Sequence, residues 1–181
     1  MILVIDLCSE KLHHHEFVKP IQDILTKHKI KFRTHHYDQI NEKILKGKDK
    51  VIICGTSLQD NQFIVDLDKF NWILNKLKDK PILGICAGMQ ILGLLFGGKL
   101  KKKTEIGFYN ENFQKKFLGL KGQNQFYHLH KNYVDFNKNW DRFTDSKIPQ
   151  AVKHKEKEFY GCLFHPEVRQ KDLIKTFCLL K

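Results

Sequence analysis

Short apolar runs alternate with amphipathic stretches over the first hundred residues. Met1 to Ile5 is continuously apolar, as in a strand buried on both faces. Phe17, Ile21, Ile24, Leu25 and His28 then recur at helical spacing, and Pro20 fits that helix only in its first turn. Residues 30 to 36 alternate and predict a second strand; Ile40, Ile44 and Leu45 suggest a short helix. Val51 to Cys54 predicts a third strand, broken by Gly55-Thr56-Ser57. Phe63, Leu67, Phe70, Leu74 and Leu77 predict one long amphipathic helix. Pro81 to Ile85 predicts a fourth strand. The helix after it carries Ile91, Leu92 and Leu95 on one face and ends at Gly97-Gly98.

Strands and helices alternating at this spacing predict an α/β fold, a mostly parallel sheet with helices on both faces. The second half changes character. Residues 106–109, 125–130, 133–136, 151–154 and 159–164 read as short strands between polar turns, a mixed or antiparallel extension of the sheet. A last helix carries Leu173, Ile174, Phe177 and Leu180 on one face. No repeat or linker divides the chain, so residues 1–181 are expected to form a single domain.

Composition narrows the class. With 41% hydrophobic and 29% charged residues the chain is an ordinary globular one. No apolar run approaches the roughly 20 residues of a membrane span, and Met1 to Asp6 shows no basic leader. The five cysteines, Cys8, Cys54, Cys86, Cys162 and Cys178, form no framework, which suits a reducing cytoplasm and thiols used as small hydrophobes. The net charge of +12 comes from lysines spread along the chain without a nucleic-acid motif. It reads as a solvated basic surface, with one face open to an acidic partner protein, rather than a nucleic-acid site.

The candidate chemistry centres on Gly84-Ile85-Cys86-Ala87-Gly88. Strand, tight turn and helix follow in order, with Cys86 at the turn and glycines where larger side chains would block the bend. A nucleophile on such an elbow stands clear of the sheet, and the helix N-terminus favours its thiolate. The competing reading is a buried structural cysteine. A cysteine nucleophile needs a base, and the base an orienting group. Phe164-His165-Pro166-Glu167 offers both near a strand end, with Glu167 placed to hold the imidazole of His165. Alone, that segment could equally be a helix start with a surface histidine.

Together, Gly84-Ile85-Cys86-Ala87-Gly88-Met89-Gln90 and Phe164-His165-Pro166-Glu167-Val168 resemble the two signatures of class I glutamine amidotransferases. The likeness runs over nearly the whole chain. Within the family it is nearest to the glutaminase subunits of GMP synthetases, through residues 148–157, Phe159-Tyr160-Gly161 and Gly97-Gly98-Lys99-Leu100. The resemblance implies the family's flavodoxin-like fold and hydrolysis of L-glutamine to glutamate and ammonia. Cys86 would form a thioester, His165 would move the protons and Glu167 would orient His165. The amides of Ala87 and Gly55 would hold the oxyanion. Gln90 and the backbone near Leu129 and His130 would meet the substrate.

The same resemblance implies no cofactor and a separate ATP-dependent synthetase subunit that takes the ammonia. The alternatives are a stand-alone γ-glutamyl hydrolase, an amidotransferase of another pathway and a non-catalytic interaction subunit. Two loops depart from the family pattern. Gly55-Thr56-Ser57 stands where Gly-Gly-Pro is usual, and Leu129-His130-Lys131-Asn132 where Ser-His-Gly-Asp is frequent.

The remaining histidines read as structural. His13-His14-His15-Glu16 is expected to be an exposed loop ahead of a helix, because consecutive histidines cannot all face one ion. His35, His36, His128 and His130 read as strand-surface residues, so no metal site is expected. Lys101-Lys102-Lys103 reads as a solvated turn, and Trp72 and Trp140 as packing residues.

Overall fold

The computed structural model describes residues 1–180. Its elements run in order: β1 (Ile2–Asp6), α1 (Lys11–His13), a π-helical turn (His14–Val18), α2 (Lys19–Lys27), β2 (Phe32–His36), α3 (Glu42–Leu45), β3 (Lys50–Ile53), α4 (Gln62–Val65), α5 (Trp72–Asn75), β4 (Ile82–Ile85), α6 (Ala87–Leu95), β5 (Lys99–Phe117), β6 (Leu120–Asp135), β7 (Trp140–Arg142), β8 (Ala151–His154), β9 (Phe159–Cys162) and α7 (Lys171–Cys178).

Seven strands form one sheet in the order β2-β1-β3-β4-β9-β8-β7. The first five are parallel, and β8 and β7 extend the edge antiparallel. Because side chains alternate along a strand, each strand feeds both faces. Val4, Ile52, Leu83 and Cys162 pack with Ile21, Ile24 and Leu25 of α2 and Leu173, Ile174 and Phe177 of α7. Leu3, Ile53, Ile82 and Phe159 pack with Met89, Ile91 and Leu92 of α6 and with Phe63, Phe70 and Ile73. The continuous apolar runs are strands covered by helices on both sides, as the pattern predicts. Lys50 is buried at the foot of β3, and its ammonium donates to the carbonyls of Cys178 (2.7 Å) and Leu180 at the end of α7. A cation there suits the negative end of a helix.

Four expectations are corrected. The long helix over residues 63–77 is three short pieces, α4, a 3₁₀ turn (Leu67–Phe70) and α5. Asp66 ends the first piece and accepts hydrogen bonds from Tyr37 Oη (2.8 Å) and Lys69 Nζ (3.0 Å), so tertiary bonds interrupt the helical period. The separate strands over 106–109, 125–130 and 133–136 are parts of two long strands, β5 and β6, which pair as their own antiparallel hairpin outside the main sheet. Lys101 to Lys103 lie exposed on β5 and do not form a turn.

The fourth correction concerns histidines. His128 and His130 are buried, not on the strand surface, because β6 turns its even positions, including Phe126, inward. His13 and His14 are helical and half-buried, where an exposed loop was expected. His13 Nδ1 meets Asp60 (2.8 Å) and His14 Nδ1 meets Asp6 (2.6 Å), pairing that draws the segment onto the strand ends.

No helix among the described residues is long and apolar enough to cross a membrane.

Candidate active site

The carboxyl ends of β4 and β9 lie side by side, with Ile85 opposite Cys162 and the Cys86 amide donating to the Cys162 carbonyl at 2.7 Å. Cys86 follows β4 and opens α6 at φ 49°, ψ −103°. A non-glycine residue in that region carries about 1–3 kcal/mol of strain and persists only where its surroundings impose it. Here the surroundings are two backbone approaches. A Cβ at Gly84 would sit 2.5 Å from the Gly88 carbonyl oxygen, and one at Gly88 would sit 2.3 Å from the Ile53 carbonyl oxygen. The two glycines let α6 pack against β3 and β4 and force the bend onto Cys86.

His165 follows β9, and its amide donates to the Tyr127 carbonyl at 2.8 Å, which fastens the loop to β6. Its ring is buried, with Phe17 at 5.4 Å between centroids and Tyr127 at 6.4 Å. Phe17 reaches it from the π-helical turn, a local feature frequent at functional sites. Nδ1 of His165 lies 2.7 Å from Glu167 Oε1. An ionised carboxylate can only accept, so Nδ1 carries a proton, and in the neutral ring Nε2 holds the lone pair. Nε2 is buried and makes no hydrogen bond. Burial alone would disfavour the charged ring. The charges of Glu167 and the Cys86 sulfur outweigh it and hold the imidazole well above its ordinary pKa. That arrangement makes His165 a strong proton acceptor for the neighbouring thiol.

The Cys86 thiol also lies 3.6 Å from the Leu129 carbonyl. Gly55 lies between the two groups: a Cβ there would be 2.6 Å from His165 Cε1 and 3.4 Å from Cys86 Cβ. Ala87 is the first residue of α6, so its amide has no partner within the helix. Burial pushes Cys8, Cys54 and Cys162 well up from the ordinary range and Cys178 up to about 11.

A cleft of about 300 Å³ opens beside the pair, lined by Glu16, Phe17, Tyr127, Leu129, His165 and Glu167 among others. Of the residues singled out from sequence, Cys86, His165, Glu167, Gly55, Ala87 and Leu129 come together. Gln90 is buried, and its side-chain amide donates to the Asn132 carbonyl at 3.0 Å, tying α6 to the end of β6. The His130 side chain points away from the sulfur: Nδ1 meets the Lys103 carbonyl and Nε2 meets Glu105, each at 3.1 Å.

Phe17, Tyr127 and the Asp60 cluster escape sequence reasoning. Asp60 accepts from Ser9, Thr56 Oγ1 (2.5 Å) and His13 (2.8 Å), and so fixes the Gly55-Thr56-Ser57 loop against the first helical segment. Only the period-2 alternation of β6 hints that Tyr127 and Leu129 share the face opposite His128.

A family described as glutamine amidotransferase class-I matches residues 12–177. The chain belongs to the class-I glutamine amidotransferase family. Among its curated relatives are proteins named GMP synthase [glutamine-hydrolyzing]. That of Spiroplasma kunkelii is 32% identical over 73% of this chain, and that of Staphylococcus aureus strain JH9 is 28% identical over 79%. The amidotransferase spans only 27% and 30% of their respective lengths. Among solved structures, a candidate GMP synthase component from Thermoplasma acidophilum superposes with a TM-score of 0.85 at 21% identity, over 98% of this chain and 91% of that one. A glutamine amidotransferase from Thermotoga maritima superposes at 0.70 and 20% identity, over 97% and 81%. These neighbours share the flavodoxin-like amidotransferase fold, with its mostly parallel sheet.

Proposed function

We propose that this amidotransferase hydrolyses L-glutamine at Cys86 and passes the ammonia to an ATP-dependent synthetase subunit, with GMP formation from XMP as the coupled reaction. The observation that carries the reading is the strained Cys86 beside a buried, Glu167-oriented His165 at adjoining parallel strand ends.

In this reading His165 Nε2 takes the Cys86 thiol proton, and the sulfur attacks the side-chain amide carbon. The amides of Ala87 and Gly55 stabilise the resulting oxyanion. The C–N bond then breaks as His165 returns the proton to the departing ammonia, leaving a γ-glutamyl thioester. Water activated by the same nitrogen cleaves the thioester and frees Cys86 and glutamate. Glu167 holds the ring throughout.

Two features favour dependence on a partner. Cys86 is 3% exposed, and its thiol lies against the Leu129 carbonyl. The 129–132 segment that covers it departs from the family pattern. Docking of a synthetase that shifts this segment would open the sulfur to the cleft, coupling hydrolysis to ammonia use. Exposed Phe108 packs on Tyr127 at the cleft wall (5.3 Å), with exposed Val168 on the same rim, an apolar edge suited to such a partner. The GMP assignment rests on the likeness to proteins named GMP synthase.

The test is glutamate release from glutamine with and without the ATP-pyrophosphatase subunit of a GMP synthetase. Stimulation by that protein and loss of activity in Cys86→Ala are expected. Full activity alone on larger γ-glutamyl compounds would replace the reading with a stand-alone hydrolase.

A further inference from the structure

Behind the cleft, on the opposite face of β6, three side chains converge that the proposed chemistry does not use. Glu105 comes from β5, and His128 and His130 from β6; one donor atom of each lies within 4.8 Å of the others. Glu105 Oε2 is 3.1 Å from His130 Nε2 and 3.4 Å from His128 Nδ1. The hairpin register slips between Lys102 and Glu105, and such a bulge re-aims the side chains beside it.

The hydrogen bonds decide what these nitrogens present. The Lys103 carbonyl can only accept, so His130 Nδ1 carries a proton, and a neutral ring turns its Nε2 lone pair onto Glu105. His128 is fully buried, and neither ring nitrogen makes a hydrogen bond. Its Nε2 lies 3.6 Å from Glu111 Oε1, and a shift of a few tenths of an ångström would let an Nε2–H donate a hydrogen bond to that carboxylate. Its Nδ1 lone pair then also faces Glu105. Gln150 Nε2 donates to Glu105 Oε2 at 2.7 Å and steadies the carboxylate. With both rings neutral in these tautomers, two lone pairs and a carboxylate aim at one point and repel one another unless a cation or a proton lies between them.

We propose that Glu105, His128 and His130 bind one divalent transition-metal ion, with zinc the best match. Two imidazoles and one carboxylate are a zinc donor set, leaving a fourth position for water. Two of the ligands already have the outer partner such sites use, Lys103 O for His130 and Gln150 for Glu105, and Glu111 stands 3.6 Å from His128 Nε2 to serve as the third. The Glu105 side chain, 14% exposed, provides the way in. The ion would staple β5 to β6 one residue from Leu129, whose carbonyl receives the Cys86 thiol. Its role is therefore to fix the strand that covers the nucleophile.

The experiment uses the full chain stripped with chelator, then titrated with Zn²⁺ against a chromophoric competitor and, separately, with Co²⁺ by absorption spectroscopy. One ion per chain with Kd below about 1 µM is expected. Glu105→Gln, a partly exposed and nearly isosteric change, should weaken binding by about 100-fold or more and abolish the rise in Tm that Zn²⁺ gives the wild type. Cys86→Ala should bind as the wild type does, and the Co²⁺ spectrum should lack a thiolate charge-transfer band. Folded wild type that takes up no Zn²⁺ would overturn the proposal in favour of a simple imidazolium–carboxylate pair. Undiminished binding by Glu105→Gln, or binding lost in Cys86→Ala, would overturn it by placing the ion elsewhere.

Discussion

Gly55→Ala is the most pointed perturbation of the catalytic geometry. The added methyl would stand 2.6 Å from His165 Cε1 and 3.3 Å from Nδ1. That is roughly 1 Å short of ordinary carbon–carbon contact, so either the ring or the loop must shift by about that much. The ring is held by a 2.7 Å bond to Glu167 on one side and by Phe17 on another, so the shift would disturb the alignment of His165 with Cys86. A misplacement near 1 Å costs on the order of 100-fold in rate, about 2.7 kcal/mol of barrier. Gly55 does not have a positive φ, so alanine meets no intrinsic backbone penalty there. The expected signature is therefore a fall of about 100-fold in kcat/KM for glutamate release, measured with the synthetase present, with Tm moved by only a few degrees. Wild-type kcat/KM in a folded Gly55→Ala would refute the placement of Gly55 against the catalytic pair.

Glu167→Gln keeps the shape but removes the charge that holds the imidazolium; kcat should drop by about 10³-fold with KM little changed, read from steady-state glutamine hydrolysis. Cys86→Gly relieves the positive-φ strain, so the inactive variant should melt roughly 2–4 °C higher than Cys86→Ala by differential scanning calorimetry. Asp60→Ala leaves Ser9, Thr56 and His13 without their acceptor and should cost about 2–4 kcal/mol in urea unfolding, together with slower alkylation of Cys86. His154 is buried among Phe96, Trp140 and Phe159, and burial pushes its pKa below the ordinary value. The native state thus resists a proton that the unfolded chain accepts. Its stability contribution is full above about pH 6.5 and is lost as pH falls from there toward the folded pKa, by at most about 1.4 kcal/mol per pH unit. His154→Phe should flatten that slope in urea titrations below about pH 6.5.

What was legible in the sequence was local. The elbow at Cys86 is read from two glycines whose backbones touch neighbouring chain, and the buried strands are read from unbroken apolar runs. His165 and Glu167 are two residues apart, so their pairing needs no tertiary knowledge. The hairpin was not legible in the same way. Much of β5 is exposed on both faces, so Lys101 to Lys103 give no alternation and look like a turn. The neighbours of His128, Glu105 and Glu111, are brought close only by the hairpin register. The helix over 63–77 breaks because Asp66 bonds to Tyr37, distant in sequence. Phe17 reaches His165 through a π-helical turn that a regular 3.6-residue period does not show.

The central claim is that Cys86 is the nucleophile toward glutamine. Mass spectrometry of the chain after incubation with a diazoketone analogue of glutamine, with the synthetase present, tests it most directly. One adduct per chain is expected, mapped to the peptide bearing Cys86 and suppressed by excess L-glutamine. An adduct on another cysteine, or an unmodified Cys86 in a preparation that still releases glutamate, would contradict it.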